Sequence, residues 1–579
     1  PGSNLVKISR PGGLLSLEVE APRTPEGDLL PVQPGDLAEL LTGSGEEVDT
    51  GVEVNESGDV QLADTGVTLP QDTGVAIVLG EIVVSNVGTP SPSSSIGGEI
   101  NVIGNKVGLI SANLDASGTN GGGTVRIGGG EKGLEAIPNA DVTFISEDSR
   151  INADALDEGG GGRTIVWSNQ TTRTYGHISA RGGAIAGDGG FVETSSAGFL
   201  DVPFAPDITA PSGDGGTWLI DPYNITISAA ADTIGVTIGV TPPTFTAAAN
   251  DSVLNITTLL NALPMGDVIV DTGTGTGDPA QDGNITLATP LDFNGKGGNT
   301  LRLIAANNII INGEILDGDP ANKDSLSLDF QAGGAVELNQ NISTGDLDLF
   351  IEAKGAITQA AGKTLDIGGR TRLTAGDADN PSDITLENAN NDFNELFITN
   401  ANTVQLKDAN TISLGSSQDP NTATTSRIQG NFTLTANGEI KHVDANDSLD
   451  VGMMATLMAG SVNLGQSNVG GNLNVTATTG NISQSGAVTV GGTSSLTTSQ
   501  ANGTIILNNL NATGAISLNT NGTGGNASIT SNQQVNLGNS NVGGNLNVTA
   551  TQGNINQSNG TTVAVDGAIS LNTNGTDGN

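Results

Sequence analysis

The stretch from Val462 to Ser485, VNLGQSNVGGNLNVTATTGNISQS, returns 73 residues later as VNLGNSNVGGNLNVTATQGNINQS at Val535 to Ser558. A second string, GAISLNTNGT, stands at Gly514 and again at Gly567, an offset of 53. The two offsets differ by 20 residues, so a block of that size can be removed while the flanking sequence keeps its register. The same interval separates apolar-x-apolar triplets. Leu326-Ser327-Leu328 precedes Leu347-Asp348-Leu349 by 21 residues, and Ile384-Thr385-Leu386 precedes Val404-Gln405-Leu406 by 20. In an extended chain such a triplet points two side chains to one face. A unit of about 20 residues carrying two or three short strands is what one turn of a parallel β-helix needs, because each turn sets its strands above those of the turn before. The fixed Leu and Asn frame of a leucine-rich repeat is absent, and the density of Gly and Asn excludes helical repeats. The fold class is therefore all-β, a parallel β-helix.

Composition fits that fold. The chain has 579 residues with 84 Gly and only 3% aromatics, which suits a narrow core of Val, Ile and Leu with Gly and Asn at the bends. The Asn residues at 472, 474 and 481, repeated at 545, 547 and 554, are candidates for ladders from coil to coil. With 62 acidic against 20 basic side chains the formal charge is −42, which excludes nucleic-acid binding by charge. Cysteine is absent, so disulfides, thiolate metal sites and cysteine nucleophiles are out. No apolar run is long enough for a transmembrane helix.

Four regions follow. Residues 1–96 are acidic and Pro-containing, with irregular or edge strands such as Val52-Glu53-Val54 and Val60-Gln61-Leu62. Residues 97–230 form β-helix, residues 231–290 an insertion, and residues 291–579 a repetitive shaft of ~20-residue coils. In the insertion, Asp251 to Leu263 has Val253, Ile256, Leu259, Leu260 and Leu263 at helical spacing, with Pro264 as the stop. Pro1 opens the chain without a leader, and both ends read as cuts through a longer protein.

Specific strings carry a resemblance. GGGTVRIGG from Gly121, INADA from Ile151, GGGGRTIVWSNQTTRTYGHISARGG from Gly159, GDGGFVETS from Gly187 and GGTWLIDPYNITI from Gly215 resemble the filamentous-haemagglutinin-like large exoproteins of two-partner secretion, in their cyanobacterial style. The resemblance covers about residues 97–230 with such strings and the remainder through repeat style. It implies a right-handed parallel β-helix, export through an outer-membrane barrel transporter, and a non-enzymatic adhesin that is secreted or on the cell surface. It assigns structural roles to Gly161, Gly162, Trp167, Gly182, Gly183, Gly189, Gly190, Trp218, Asp221 and Pro222. The amino-terminal secretion domain of that family is not present in this sequence.

Chemistry-bearing motifs are sparse. Gly128, Gly130 and Gly133 spell GxGxxG, but Pro138 follows and no helix pattern opens, so the reading is a turn and not a cofactor site. The two histidines, His177 and His442, have no nucleophile elbow and read as coil or surface residues. Asp271, Asp278 and Asp282, or Asp377, Asp379 and Asp383, are candidates to bind calcium weakly at a bend, against a plain reading as solvated loop acids. Trp167, Tyr175, Phe191, Trp218 and Tyr223 either stack on sugars or fill a wider core. Catalytic residues are assigned to none of these. The leading function is the repetitive shaft of an adhesin, with an unidentified surface receptor or polysaccharide as partner. The alternatives are a calcium-dependent lyase-like β-helix enzyme and a surface-layer component.

Overall fold

The computed structural model describes residues 74–87, 95–230, 252–273, 282–319, 321, 324–415 and 424–574, with the backbone of four strands nearer the start. Those four make two antiparallel pairs, Leu5–Ser9 with Ser16–Glu20 and Val52–Val54 with Val60–Leu62. Among the described residues every strand pairing from Val75–Val83 onward is parallel, and the fold is an all-β parallel β-helix with one short α-helix. The chain divides into two compact units, Pro1–Asp282 and Gly283–Asn579.

In the first unit each coil lays strands on three faces. One face stacks Glu99–Val102, Thr124–Ile127, Arg163–Val166, Phe191–Ser195, Gly216–Asp221 and Gly266–Asp271. The long strand Lys106–Asp115 bends at Ser111, so that its first half pairs with Val142–Ile145 and its second with Arg150–Asn152. Parallel stacking begins at Val75–Val83, ahead of the boundary expected at 97, because that run pairs with Lys106–Asp115 along its whole length. Of the expected insertion, the described segment 252–271 is likewise part of the stack. Ser252–Asn255 pairs with Ile225–Ser228, and Gly266–Asp271 with Gly216–Asp221. The helix therefore starts later than the periodicity suggests, at Ile256–Ala262, with the Asn255 side chain accepting from Thr257 N at 2.7 Å as its cap.

In the second unit the registers match the triplet spacing: Leu328 lies over Leu349, Ile384 over Val404 and Leu386 over Leu406. Inward rows such as Leu303, Phe330, Ile351 and Leu373 stack in register, and all four are buried. Each such side chain contributes about 1.5–3 kcal/mol by leaving water. Between Thr425–Ile428 and Leu510–Ala512 a third sheet of five strands widens the coil.

The long sequence repeat does not return to the same face. Leu473–Ala477 (LNVTA) pairs with Ala455–Ala459 and Ser494–Ala501 on one main sheet. The identical Leu546–Ala550 pairs with Ala527–Ser531 and Ile569–Thr573 on the other. Three coils on from Val462 is Ala527, and Val535 stands eight residues further round. Both faces bury the same alternating Leu, Val and Ala, so one strand sequence serves either.

Asn339 Nδ2 donates to Asn312 Oδ1 at 3.0 Å from coil to coil, but at the repeated positions asparagine holds the bends differently. Asn472 Oδ1 accepts Thr493 N at 2.9 Å, Asn481 Oδ1 accepts Thr504 N at 2.8 Å, and Asn545 Oδ1 accepts Ala568 N at 2.8 Å. Each is a side chain reaching to the backbone one coil on, which satisfies an N–H where the strand has ended. Asn474 and Asn547 instead lie on strands and point outward. The most buried member is Asn391, whose Oδ1 accepts Leu365 N at 2.9 Å and whose Nδ2 donates to Leu386 O at 3.2 Å. Asn391→Ala is expected to destabilise the second unit by about 2 kcal/mol, because it leaves buried backbone groups unpaired. A thermal melt indistinguishable from wild type would contradict that account.

Candidate functional site

The coil that begins at Thr124 is longer than its neighbours. Its strand pairs with Arg163–Val166 at an interval of 39 residues, whereas the next two intervals are 28 and 26. The excess is the loop from Gly128 to Asn139, which folds back over the outer side of the face made by Arg163–Val166, Phe191–Ser195, Gly216–Asp221 and Gly266–Asp271. Gly128 and Gly133 take positive φ values of 78° and 66°, and Lys132 sits in a 3-10 turn at φ 52°. The GxGxxG string is thus a turn. Arg126 holds Glu135 at 2.6 Å and Arg163 pairs with Glu131, fastening the loop at two points.

Under the loop the outward row of the face is buried. Glu193 stands in register between Ile165 and Leu219, and all three are shielded from water. In the adjacent outward row Ser195 is opposite Asp221, and the same register carries Asp221 to Asp271. Lys132 completes the cluster. Its Nζ is 2.6 Å from Asp271 Oδ2, and its backbone N–H donates to Glu193 Oε1 at 2.9 Å. Asp271 Oδ1 accepts Gly273 N at 2.8 Å. Glu193 Oε2 and Ser195 Oγ are both buried, and the Ser195 hydroxyl acts on the Glu193 carboxyl.

Three carboxyls and one ammonium in a dry place cannot all keep their ordinary proton affinities. Burial pushes Glu193 up to about 7, against the lowering pull of the Lys132 N–H and the Ser195 hydroxyl. Burial, with the charges of Asp271 and Glu193 behind it, holds Asp221 well above the usual aspartate range. For Lys132 burial pulls the ammonium down, but the hydrogen bond and charge of Asp271, with Asp221 and Glu193, leave it above the ordinary lysine value.

The residues singled out from sequence scatter around this cluster. Gly161, Gly162, Gly189 and Gly190 belong to a column in which each coil rests on the backbone of its neighbour. Gly182 and Gly183 press on the backbone at Gly187–Asp188 and at Asp157 and Ala186 respectively. Trp218 is in the core, donating to Thr194 Oγ1 at 3.0 Å, and Trp167 is buried against the loop at Gly133. Asp221 and Pro222 are buried, the former in the cluster. Of the calcium candidates, Asp271 faces Lys132, Asp282 is exposed, and Asp278 lies outside the described residues. Asp377 caps its own turn through the amides of Asp379 and Asn380, while Asp383 accepts from Asn402 and Thr403. Among the described residues no group of three or more His, Cys, Asp or Glu is arranged to hold a metal ion. His177 is exposed beside Phe204. Burial lowers the His442 pKa.

Lys132 and Glu193 were invisible to motif reading. Glu193 lies between Val192 and Thr194 in a clean alternation, which reads as a solvated outer position; only the long coil interval hints at a roof.

The fold places the chain among the parallel β-helices. Residues 324–400, 451–519 and 524–577, all in the second unit, match a family described as repeats of unknown function (DUF5649). No curated protein matches the chain. Among the described residues no helix is long and apolar enough to cross a membrane.

Proposed function

We propose that the chain is the non-enzymatic, repetitive shaft of a filamentous-haemagglutinin-like adhesin, exported through an outer-membrane barrel transporter and held at the cell surface or released. The observation that supports this reading is how the second unit spends its polar residues. Asn308, Asn341, Asn481, Asn526 and Asn545 each clip the backbone of the following coil, which strengthens a scaffold. The net negative charge of the whole chain keeps it soluble. Antibody raised against residues 97–230 is expected to label intact cells of the source organism, and deletion of the gene to reduce attachment several-fold. Labelling only after lysis, with attachment unchanged, would refute the proposal.

A lyase-like enzyme acting on acidic polysaccharide is the second reading, favoured by three carboxyls and a lysine on one β-helix face. It requires the Gly128–Asn139 loop to lift, since Glu193 and Asp221 are buried beneath it. Release of unsaturated uronate, with and without calcium, separates the two readings.

A further inference from the structure

Lys132 and Asp271 are 139 residues apart in sequence, yet they touch under the loop, and the contact crosses three intervening strands of one face. We propose that this ion pair condenses into an intramolecular isopeptide bond, joining Lys132 Nζ to Asp271 Cγ and stapling the loop across the coils. The inference is independent of the adhesin reading.

The geometry supplies the approach of the two groups, a donor to the carboxyl and a fixed loop end. Nζ is 2.6 Å from Oδ2. The carboxyl carbon is one covalent bond behind that oxygen, which puts the reacting atoms near the ~3–3.5 Å of a near-attack pair. Asp271 is held in place, because Oδ1 already accepts the Gly273 N–H at 2.8 Å. That same donor is positioned to stabilise negative charge on Oδ1 when the carbon becomes tetrahedral. The loop end is held by the Lys132 N–H on Glu193 and by the Glu131–Arg163 and Glu135–Arg126 pairs. The side chains are 35% exposed at Lys132 and 6% at Asp271, so little water competes at the carboxyl.

The step balances without any co-reactant. The ammonium brings three hydrogens and the carboxylate two oxygens. Nζ first passes a proton to Oδ2, and the neutral amine then attacks Cγ. The Nζ–Cγ bond forms and the Cγ–Oδ2 bond breaks. Oδ2 leaves as water with two of the original ammonium hydrogens, and nothing is oxidised or reduced. Glu193, whose Oε1 accepts the Lys132 N–H at 2.9 Å and whose charge acts on the ammonium, is the buried carboxyl we assign to carry the proton. Asp221 is the other carboxyl acting on Lys132. Condensation also removes the buried Asp271 carboxylate charge, together with the half-buried ammonium that faces it. In a chain without cysteine it provides the covalent cross-link that a disulfide provides elsewhere.

Intact-mass spectrometry of the purified full chain tests this. The wild type is expected to be lighter than its sequence mass by one water, and to yield on digestion one branched peptide holding both Lys132 and Asp271. Lys132→Arg and Asp271→Ala should return to full mass. Glu193→Gln should slow condensation by roughly 100-fold or more. A wild-type chain at its full sequence mass, with the two peptides recovered separately, overturns the proposal even if every variant fails to fold.

Discussion

Gly162→Val is expected to lower the stability of the first unit by at least about 4 kcal/mol, in the range reserved for forced backbone clashes. A Cβ at position 162 would lie 2.1 Å from Gly123 O and 2.7 Å from Gly122 C. Both are backbone atoms, so no rotamer change relieves the overlap, and the coils must part. The struck carbonyl is also the acceptor for Arg163 N at 2.8 Å, so separation breaks the pairing that joins these coils. The constraint repeats along the face: a Cβ at Gly190 meets Gly162 O at 2.2 Å, and one at Gly216 meets Gly190 O at 2.1 Å. Gly160 is the control, because the nearest atom to its added Cβ is Asp188 O at 3.5 Å. Gly160→Ala is expected to change stability by under about 1 kcal/mol. Hydrogen exchange at the Arg163 and Phe191 amides, with a thermal melt, reads both; equal protection in the valine variant and wild type would remove the close-packing explanation.

The second large effect is a pH dependence with an unusual sign. A carboxyl that is harder to ionise folded than unfolded penalises the native state as it loses its proton. Glu193 does so from its unfolded pKa, about 4.3, up to its folded value of about 7. Stability attributable to this group is therefore intact at pH 4, falls as pH climbs through that window, and is lower by about 3 kcal/mol at pH 8. Asp221 acts in the same direction. Glu193→Gln keeps the size and a hydrogen-bond acceptor while removing the ionisation. The comparison is best made in the Lys132→Arg background, where no condensation intervenes and the positive charge is kept. There the Gln variant is expected to melt higher than its parent at pH 8 and to show a flatter profile between pH 5 and 8. Parallel profiles for the two proteins would mean that Glu193 is not desolvated.

The two effects also mark what was legible in the sequence. Periodicity carried the fold, because an inward row must repeat once per coil; Ile384 over Val404 and Leu328 over Leu349 follow directly from intervals of 20 and 21 residues. Turn chemistry carried the glycines, although their role as a backbone contact column needed the register. The cluster was not legible, because its parts come from positions 132, 193, 221 and 271, and no local pattern links them. Sequence marks Asp271 as a calcium candidate and Asp221 as structural; what joins them is a lysine from a distant loop. The alternation at Val192-Glu193-Thr194 correctly places Glu193 outside the core, yet outside is not solvated where another segment covers the face. The helix starts later than its spacing suggests for a similar reason. Ser252–Asn255 satisfies helical spacing in sequence but gains more by pairing with Ile225–Ser228.

The identical LNVTA strands that settle on different faces bear on how such a chain changes over generations. Unequal crossing-over between near-identical stretches of DNA adds or deletes segments at arbitrary phase, and in most folds an out-of-phase product is lost. Here a segment that arrives a fraction of a turn out of step still finds a face that accepts its alternation. Variants differing in repeat number are therefore expected to remain foldable without selection for whole-coil exchange, which makes this region a substrate for rapid length polymorphism.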